Sequence, residues 1–142
     1  MPTALTAYLA FNGNCREVMT HYQQCLGGDL AIRAIEGSPI EAHCPPHMKH
    51  QVLHSELRTG GLLLMASDLT PGAYTQGNNF GVMIHCSSEA ECRDYYAKLS
   101  AGATIHDPLG PKFWGAFMGT FTDRYGVRWM TAYDPNTGKE NP

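Results

Sequence analysis

Long apolar runs are missing from this 142-residue chain, and with them any stretch able to span a bilayer. The N-terminal MPTALTAYLAF lacks the basic flank and cleavage site of a signal peptide, so a cytoplasmic protein without a membrane partner is expected. Charge is scarce too. Charged residues make up 16%, the formal net charge is −3, and no basic stripe is present, so nothing favours a nucleic-acid partner. Hydrophobic residues make up 43%, the opposite of a disordered composition. No CxxC pair occurs among Cys15, Cys25, Cys44, Cys86 and Cys92. In a reducing compartment these read as free thiols, several of them serving as small hydrophobes. Neither a nucleophile elbow nor a phosphate-cradling glycine loop is present.

What is present is a regular alternation of elements. Residues 3–11 are apolar and rich in strand formers, and Asn12-Gly13-Asn14 is a turn signal. Asn14 is a good helix cap, with Glu17 at the capping-box position. Val18, Met19, Tyr22, Cys25 and Leu26 fall at helical spacing, and Gly27-Gly28 ends that helix. DLAIRAI (29–35) alternates as a strand. A polar, proline-stiffened loop follows to His50. QVLHSELRT (51–59) and LLLMASD then form a hairpin across Gly60-Gly61. LTPGAYTQGNN is a second loop.

The pattern then repeats. NFGVMIHCS (79–87) is a strand, and SSEAECRDYYAKLS a helix capped by Ser87 or Ser88 and closed by Gly102. ATIHDPL is a strand that Pro108 helps to end. KFWGAFMGTFTD and VRWMTAY are the last strands, with a turn at 123–126 between them. Asp68 and Asp123 most simply cap or close turns. Each half therefore reads strand, helix, three strands, and the helices share texture, CREVMTHY and CRDYYAKL. A duplication at about 70 residues is the main organisational fact. The expected fold is α+β: two βαβββ modules in tandem, about 3–70 and about 79–134, form a curved mixed sheet with a central cleft. They make a single domain over 1–142, with 135–142 a polar tail. One helix covers only one face of each module, and concave sites at such junctions suit small ligands.

Two such modules in a chain this short resemble the vicinal-oxygen-chelate (glyoxalase/bleomycin resistance/dioxygenase) superfamily. FNGNCREVMTHYQQCLGG, VLHSELRTGGLLLMASD and FWGAFMGTFTDRYGVRWM together resemble its PhnB-like branch over nearly the whole chain. Members of that branch often carry a methyltransferase label. A methyltransferase needs a nucleotide-binding βαβ core with a glycine-rich turn, whereas Gly27-Gly28 and Gly60-Gly61 here end a helix and turn a hairpin. The resemblance also implies a homodimer.

Metal-dependent members of the superfamily hold one divalent ion with His, Gln or Glu from the cleft strands. Motif matching puts those positions at Ala7, near Met65, at or near Gly81, and at Met130. None is a ligand for a hard ion. The resemblance therefore implies neither the standard metal nor another cofactor. Strand parity puts Ala7, Leu9 and Phe11 toward the cleft, with Leu63, Met65 and Ser67. Gly81, Met83 and His85 join them, as do Arg128 and Met130. His54 and Glu56 also face in, opposite Leu53, Ser55 and Leu57, and Trp114 forms a wall. The candidate ligand-binding residues are thus His54, Glu56, Met65, Ser67, His85, Trp114, Arg128 and Met130. Glu56 either pairs with Arg128 or a histidine as a structural ion pair, or acts with His54 on a ligand. His54 and Glu56 are also the candidate catalytic pair. The loop residues His43, Cys44, His47 and His50 have zinc-like residue types but no second knuckle, and read as a solvated loop.

The favoured expectation is a protein binding a small, partly apolar molecule in the cleft, without the standard metal. Two alternatives stand beside it. One is a metal-dependent lyase, isomerase or dioxygenase using a non-standard His/Glu site; the other is a structural or interaction module with a filled cleft.

Overall fold

A computed structural model describes residues 2–136; most of the polar tail, 137–142, lies outside the described residues. The chain divides into two compact units near Thr75 and Gln76. The first holds β1 (Ala7–Ala10), α1 (Cys15–Leu26), β2 (Asp29–Ala34), β3 (Val52–Thr59) and β4 (Leu62–Ser67). The second holds β5 (Val82–His85), α2 (Glu89–Leu99), β6 (Thr104–Pro111), β7 (Phe117–Thr122) and β8 (Arg128–Tyr133).

The duplication extends to hydrogen bonding. The first sheet runs β1-β4-β3-β2 and the second β5-β8-β7-β6, the same order four strands on. In each, the first strand lies parallel to the last and the other pairs are antiparallel. These are the two βαβββ modules expected from the sequence, each with its own four-stranded mixed sheet.

In the first unit α1 packs on β2, β3 and β4. Its Val18, Met19 and Tyr22 are wholly buried, as is the sheet's Ser55, with Leu57 and Leu64 nearly so. Burying a side chain of Leu or Val size contributes about 1.5–3 kcal/mol, so this stripe holds the helix on. Its N-terminus is tied differently from the expected local cap. Asn14 makes no side-chain cap bond. The Asp68 carboxylate, just past β4, instead accepts from Gly13 N (2.9 Å) and Cys15 N (3.0 Å) through Oδ1, and from Val52 N (2.8 Å) through Oδ2. A charged acceptor at a helix start outcompetes a neutral one.

In the second unit α2 packs on β7 and β8. Ser88 is the cap, accepting from Glu91 N at 3.1 Å. The helix ends at Leu99, and Gly102 serves the turn beyond it with φ +76°. Trp129 and Phe121 fill the core beneath, with Tyr96 edge-on to Phe121 at 5.5 Å. Asp123 closes the β7–β8 turn, accepting from Tyr125 N and Val127 N, and its second oxygen takes Trp129 Nε1 at 2.9 Å. Pro108 does not end its strand: β6 runs on to Pro111. It is an edge strand whose register slips between Asp107 and Gly110, and an edge bulge needs no amide at Pro108.

Candidate functional site

The face of the first sheet away from α1 carries a connected set of polar side chains. On β3, Ser55 and Leu57 turn toward α1, and Cys15 Sγ lies 3.6 Å from Ser55 Oγ. Alternation then sends His54, Glu56 and Arg58 to the helix-free side. Ladder pairing brings Met65 opposite Glu56 and Tyr8 opposite Met65, so all three share that face.

There Tyr8 and His54 form the first link, with Tyr8 Oη 2.9 Å from His54 Nδ1. His54 Nε2 is 3.2 Å from Glu56 Oε1, and Arg58 Nη2 donates to Glu56 Oε2 at 3.3 Å. A carboxylate only accepts, so Nε2 carries a hydrogen, and in the tautomer with Nδ1 unprotonated that nitrogen accepts from the phenol. The direction is Tyr8 to His54 to Glu56. The bond from His54, with the Arg58 guanidinium, holds the Glu56 carboxyl below the usual carboxylate range. Loss of hydration at its hydroxyl raises the Tyr8 phenol above its ordinary value, although 54% of the residue is exposed.

Tyr8 is absent from the sequence-based set, and the reason is register. Ala7 pairs with Leu64 and Leu9 with Ala66, both buried against α1. Ala7, Leu9 and the buried Phe11 therefore face the helix, contrary to the parity read from the sequence. In TALTAYLAF nearly every residue is apolar, so alternation alone cannot fix which side is which. Glu56 pairs with His54 and Arg58, and not with Arg128, which donates to Asn78 O at 3.1 Å. Ser67 shares the Met65 side but is buried and engaged: its hydroxyl donates to Leu53 O at 2.8 Å and accepts from Leu69 N at 2.9 Å.

In the second unit Met83 stands opposite Met130, and the intervening Ile84, Trp129 and Thr131 are buried toward α2. Met83, His85, Arg128 and Met130 therefore lie on the helix-free face. A Cβ on Gly81 would lie 3.2 Å from Met130 Cε, so the residue before β5 abuts the same patch. Trp114 is on no strand. It sits in the β6–β7 turn, 53% exposed, with its ring edge-on to Phe113 at 4.8 Å.

The positions to which the resemblance assigns the superfamily's metal ligands carry few hard donors here. Tyr8 replaces Ala7 as the first-strand residue on the helix-free face; the others offer Met65, Met83 beside Gly81, and Met130. One neutral phenol and three thioethers are poor ligands for such an ion. Among the described residues no three His, Cys, Asp or Glu side chains converge. That covers His43, Cys44, His47 and His50, whose loop forms two short 3-10 turns, with His50 set 3.3 Å from Glu36.

The family model described as 3-demethylubiquinone-9 3-methyltransferase matches residues 3–131. Protein YjdN of Escherichia coli (strain K12) is 29% identical over 97% of each chain. The crystal structure of protein PA1353 from Pseudomonas aeruginosa aligns with TM-score 0.83 and 38% identity, covering 94% of this chain and 98% of that one. A glyoxalase/bleomycin resistance protein/dioxygenase family enzyme from Burkholderia phytofirmans PsJN shares the fold with TM-score 0.62 at 13% identity, over 90% and 95% of the two chains.

Proposed function

The chain belongs to the family described as 3-demethylubiquinone-9 3-methyltransferase, the PhnB-like branch of the glyoxalase/bleomycin resistance/dioxygenase superfamily, and on that footing we propose that it binds a small, partly apolar molecule on the helix-free faces of its sheets. The observation that carries this reading is the open face of the first sheet. There Tyr8, His54 and Glu56 are linked, Met65 lies beside them, and among the described residues the unit's helix α1 packs on the other face. An apolar surface with a few convergent polar groups is what orients a small ligand. On the helix-free face of the second unit, taken by itself, the corresponding candidates are His85, Arg128 and Met130, with Trp114 of the β6–β7 turn as a wall. Ser67 would act by fixing backbone. The single-domain organisation, a cytoplasmic location and a homodimer belong to the same proposal. Among the described residues no helix is long and apolar enough to cross a membrane. The exposed Phe80 and Phe113 are apolar surface of the kind a second subunit covers.

Methyl transfer draws no support from the architecture. Each sheet has one parallel strand pair, whereas a nucleotide-binding methyltransferase core repeats parallel βαβ units around a glycine-rich turn. A second, enzymatic reading rests on one observation, the Tyr8–His54–Glu56 relay. Such a chain can take a proton from, or return it to, a bound substrate, as an isomerase or lyase requires. The donor set gives the metal-assisted form of that reading no support. A filled structural module is not favoured either, because Met83 and Trp114 stay open to solvent.

The test is a thermal-shift panel of neutral and anionic aromatic and aliphatic compounds. A ligand at 100 times its Kd stabilises by about 2.7 kcal/mol. At least one compound should raise the melting temperature saturably, and Tyr8→Phe and Glu56→Gln should each weaken it about three- to tenfold without unfolding the protein. No saturable shift from any compound, or identical affinity in both variants, would overturn the reading.

A further inference from the structure

We infer that the second unit carries a subsite for an oxyanion, a carboxylate or a phosphate-type group, with the Arg128 guanidinium as its anchor. Arg128 opens β8 and stands opposite Thr122 of β7 in the ladder. Together with the Gln76–Asn78 segment and Gly126 they line an open cavity of about 370 Å³. That is the size of a site for a small molecule.

Three features make this cavity a receptor for negative charge. Its lining contains one ionised side chain, Arg128, and among the described residues no carboxylate lies within ion-pair distance of it. The nearest acid in sequence, Asp123, is buried, with its oxygens given to Tyr125 N, Val127 N and Trp129 Nε1. The guanidinium is also held in place: one nitrogen donates to Asn78 O at 3.1 Å, leaving further N–H groups of a rigid fork for a ligand. Finally, the lining segment is fastened to the β7–β8 turn. Gln76 Nε2 donates to Tyr125 O at 2.9 Å, and Gly126, at φ +91°, leaves room for that amide where a Cβ would collide with it. Thr122 Oγ1 meets His106 Nε2 at 2.7 Å, placing a second polar group on the floor.

An oriented arginine without a carboxylate, in a cavity otherwise lined by amide, hydroxyl and glycine, fits planar or tetrahedral oxyanions through paired hydrogen bonds. This deepens the proposal above, on which it rests, by giving the ligand a negative charge.

Isothermal titration of the full chain tests it, with benzoate, its neutral isostere benzamide, and inorganic phosphate, all at ionic strength fixed with chloride. Benzoate or phosphate should bind saturably, benzamide at least tenfold more weakly than benzoate. Arg128→Gln should lower the anion's affinity about tenfold or more, while Lys98→Gln, on α2, leaves it unchanged. Arg128→Lys keeps the charge but loses the fork, and should weaken binding by a smaller factor; it serves if Arg128→Gln folds poorly. Phosphate binding without benzoate assigns a tetrahedral anion, and the reverse a carboxylate. Equal binding of benzoate and benzamide, with no phosphate binding, overturns the anion subsite and leaves the small-molecule reading standing. Anion affinity unchanged in Arg128→Gln, or no anion binding at all, overturns the subsite as well.

Discussion

Glu56 illustrates how a single residue ties stability to pH. Its folded-state carboxyl is held below the ordinary value by His54 first and Arg58 second. A depressed carboxyl contributes stability above its unfolded value and loses it as pH falls through the folded one. Melting temperatures measured from pH 7 down to pH 3 should therefore fall less steeply below the ordinary carboxylate range in Glu56→Gln than in the unmodified protein. Parallel curves would show that His54 and Arg58 do nothing for it. The thiols give a second residue-scale expectation. Burial pushes Cys15 up to about 11 and Cys86 up to about 12, and Cys25 and Cys92 are buried as well, while Cys44 is partly exposed. The thiolate is the reactive form. Titration of the native protein at pH 8 with a disulfide reagent should give one fast thiol, abolished by Cys44→Ser, and four that react only on unfolding. At this scale His54 and Glu56 were legible because Ser55 and Leu57 flank them in clear alternation. Tyr8 was not, because its strand has apolar residues on both faces and only its pairing with Met65 sets the side.

The elements themselves follow from local signals, and their fastenings do not. The twelve-residue α1 is fully written in the spacing of Val18, Met19, Tyr22 and Leu26 and in the glycines behind it. Its cap comes from Asp68, more than fifty residues away, which no window on the helix contains. Asp68→Ala would strand three backbone N–H groups. Two of them, Cys15 N and Val52 N, are buried; at about 1–3 kcal/mol for each, urea unfolding should show a loss of at least about 2 kcal/mol, against less than about 1 kcal/mol for Asn14→Ala. Similar losses for the two variants would contradict this capping scheme. Close approach gives another element-scale expectation. A Cβ on Gly28 would collide with Arg58 O and with Thr59 Cβ, and the residue sits at φ +95°. Gly28→Ala should cost about 2–4 kcal/mol by the same measurement, because the strain is in backbone that cannot move aside. Pro108 shows the opposite limit of local reading: a strand breaker in sequence is harmless at a bulge on an edge strand.

For the molecule as a whole, the repeat was the most legible feature, because strand, helix and turn signals recur in one order in both halves. Each repeat leaves one sheet face without a helix, and which side chains populate that face is not a matter of pattern. It depends on which side chains the ladders bring together, here Tyr8, His54, Glu56 and Met65 in one unit and Met83, Arg128 and Met130 in the other. The methionines make that difference measurable. Met65 and Met130 lie on the helix-free faces, whereas Met19, on the inward face of α1, is fully buried. The decisive measurement is a titration of methyl-labelled methionine, followed by NMR, with the compound that most stabilises the protein in the thermal panel. The account predicts a saturable shift of the Met65 or the Met130 methyl signal with the Met19 signal unmoved. Shifts at Met19 with Met65 and Met130 silent would place the ligand elsewhere and contradict it.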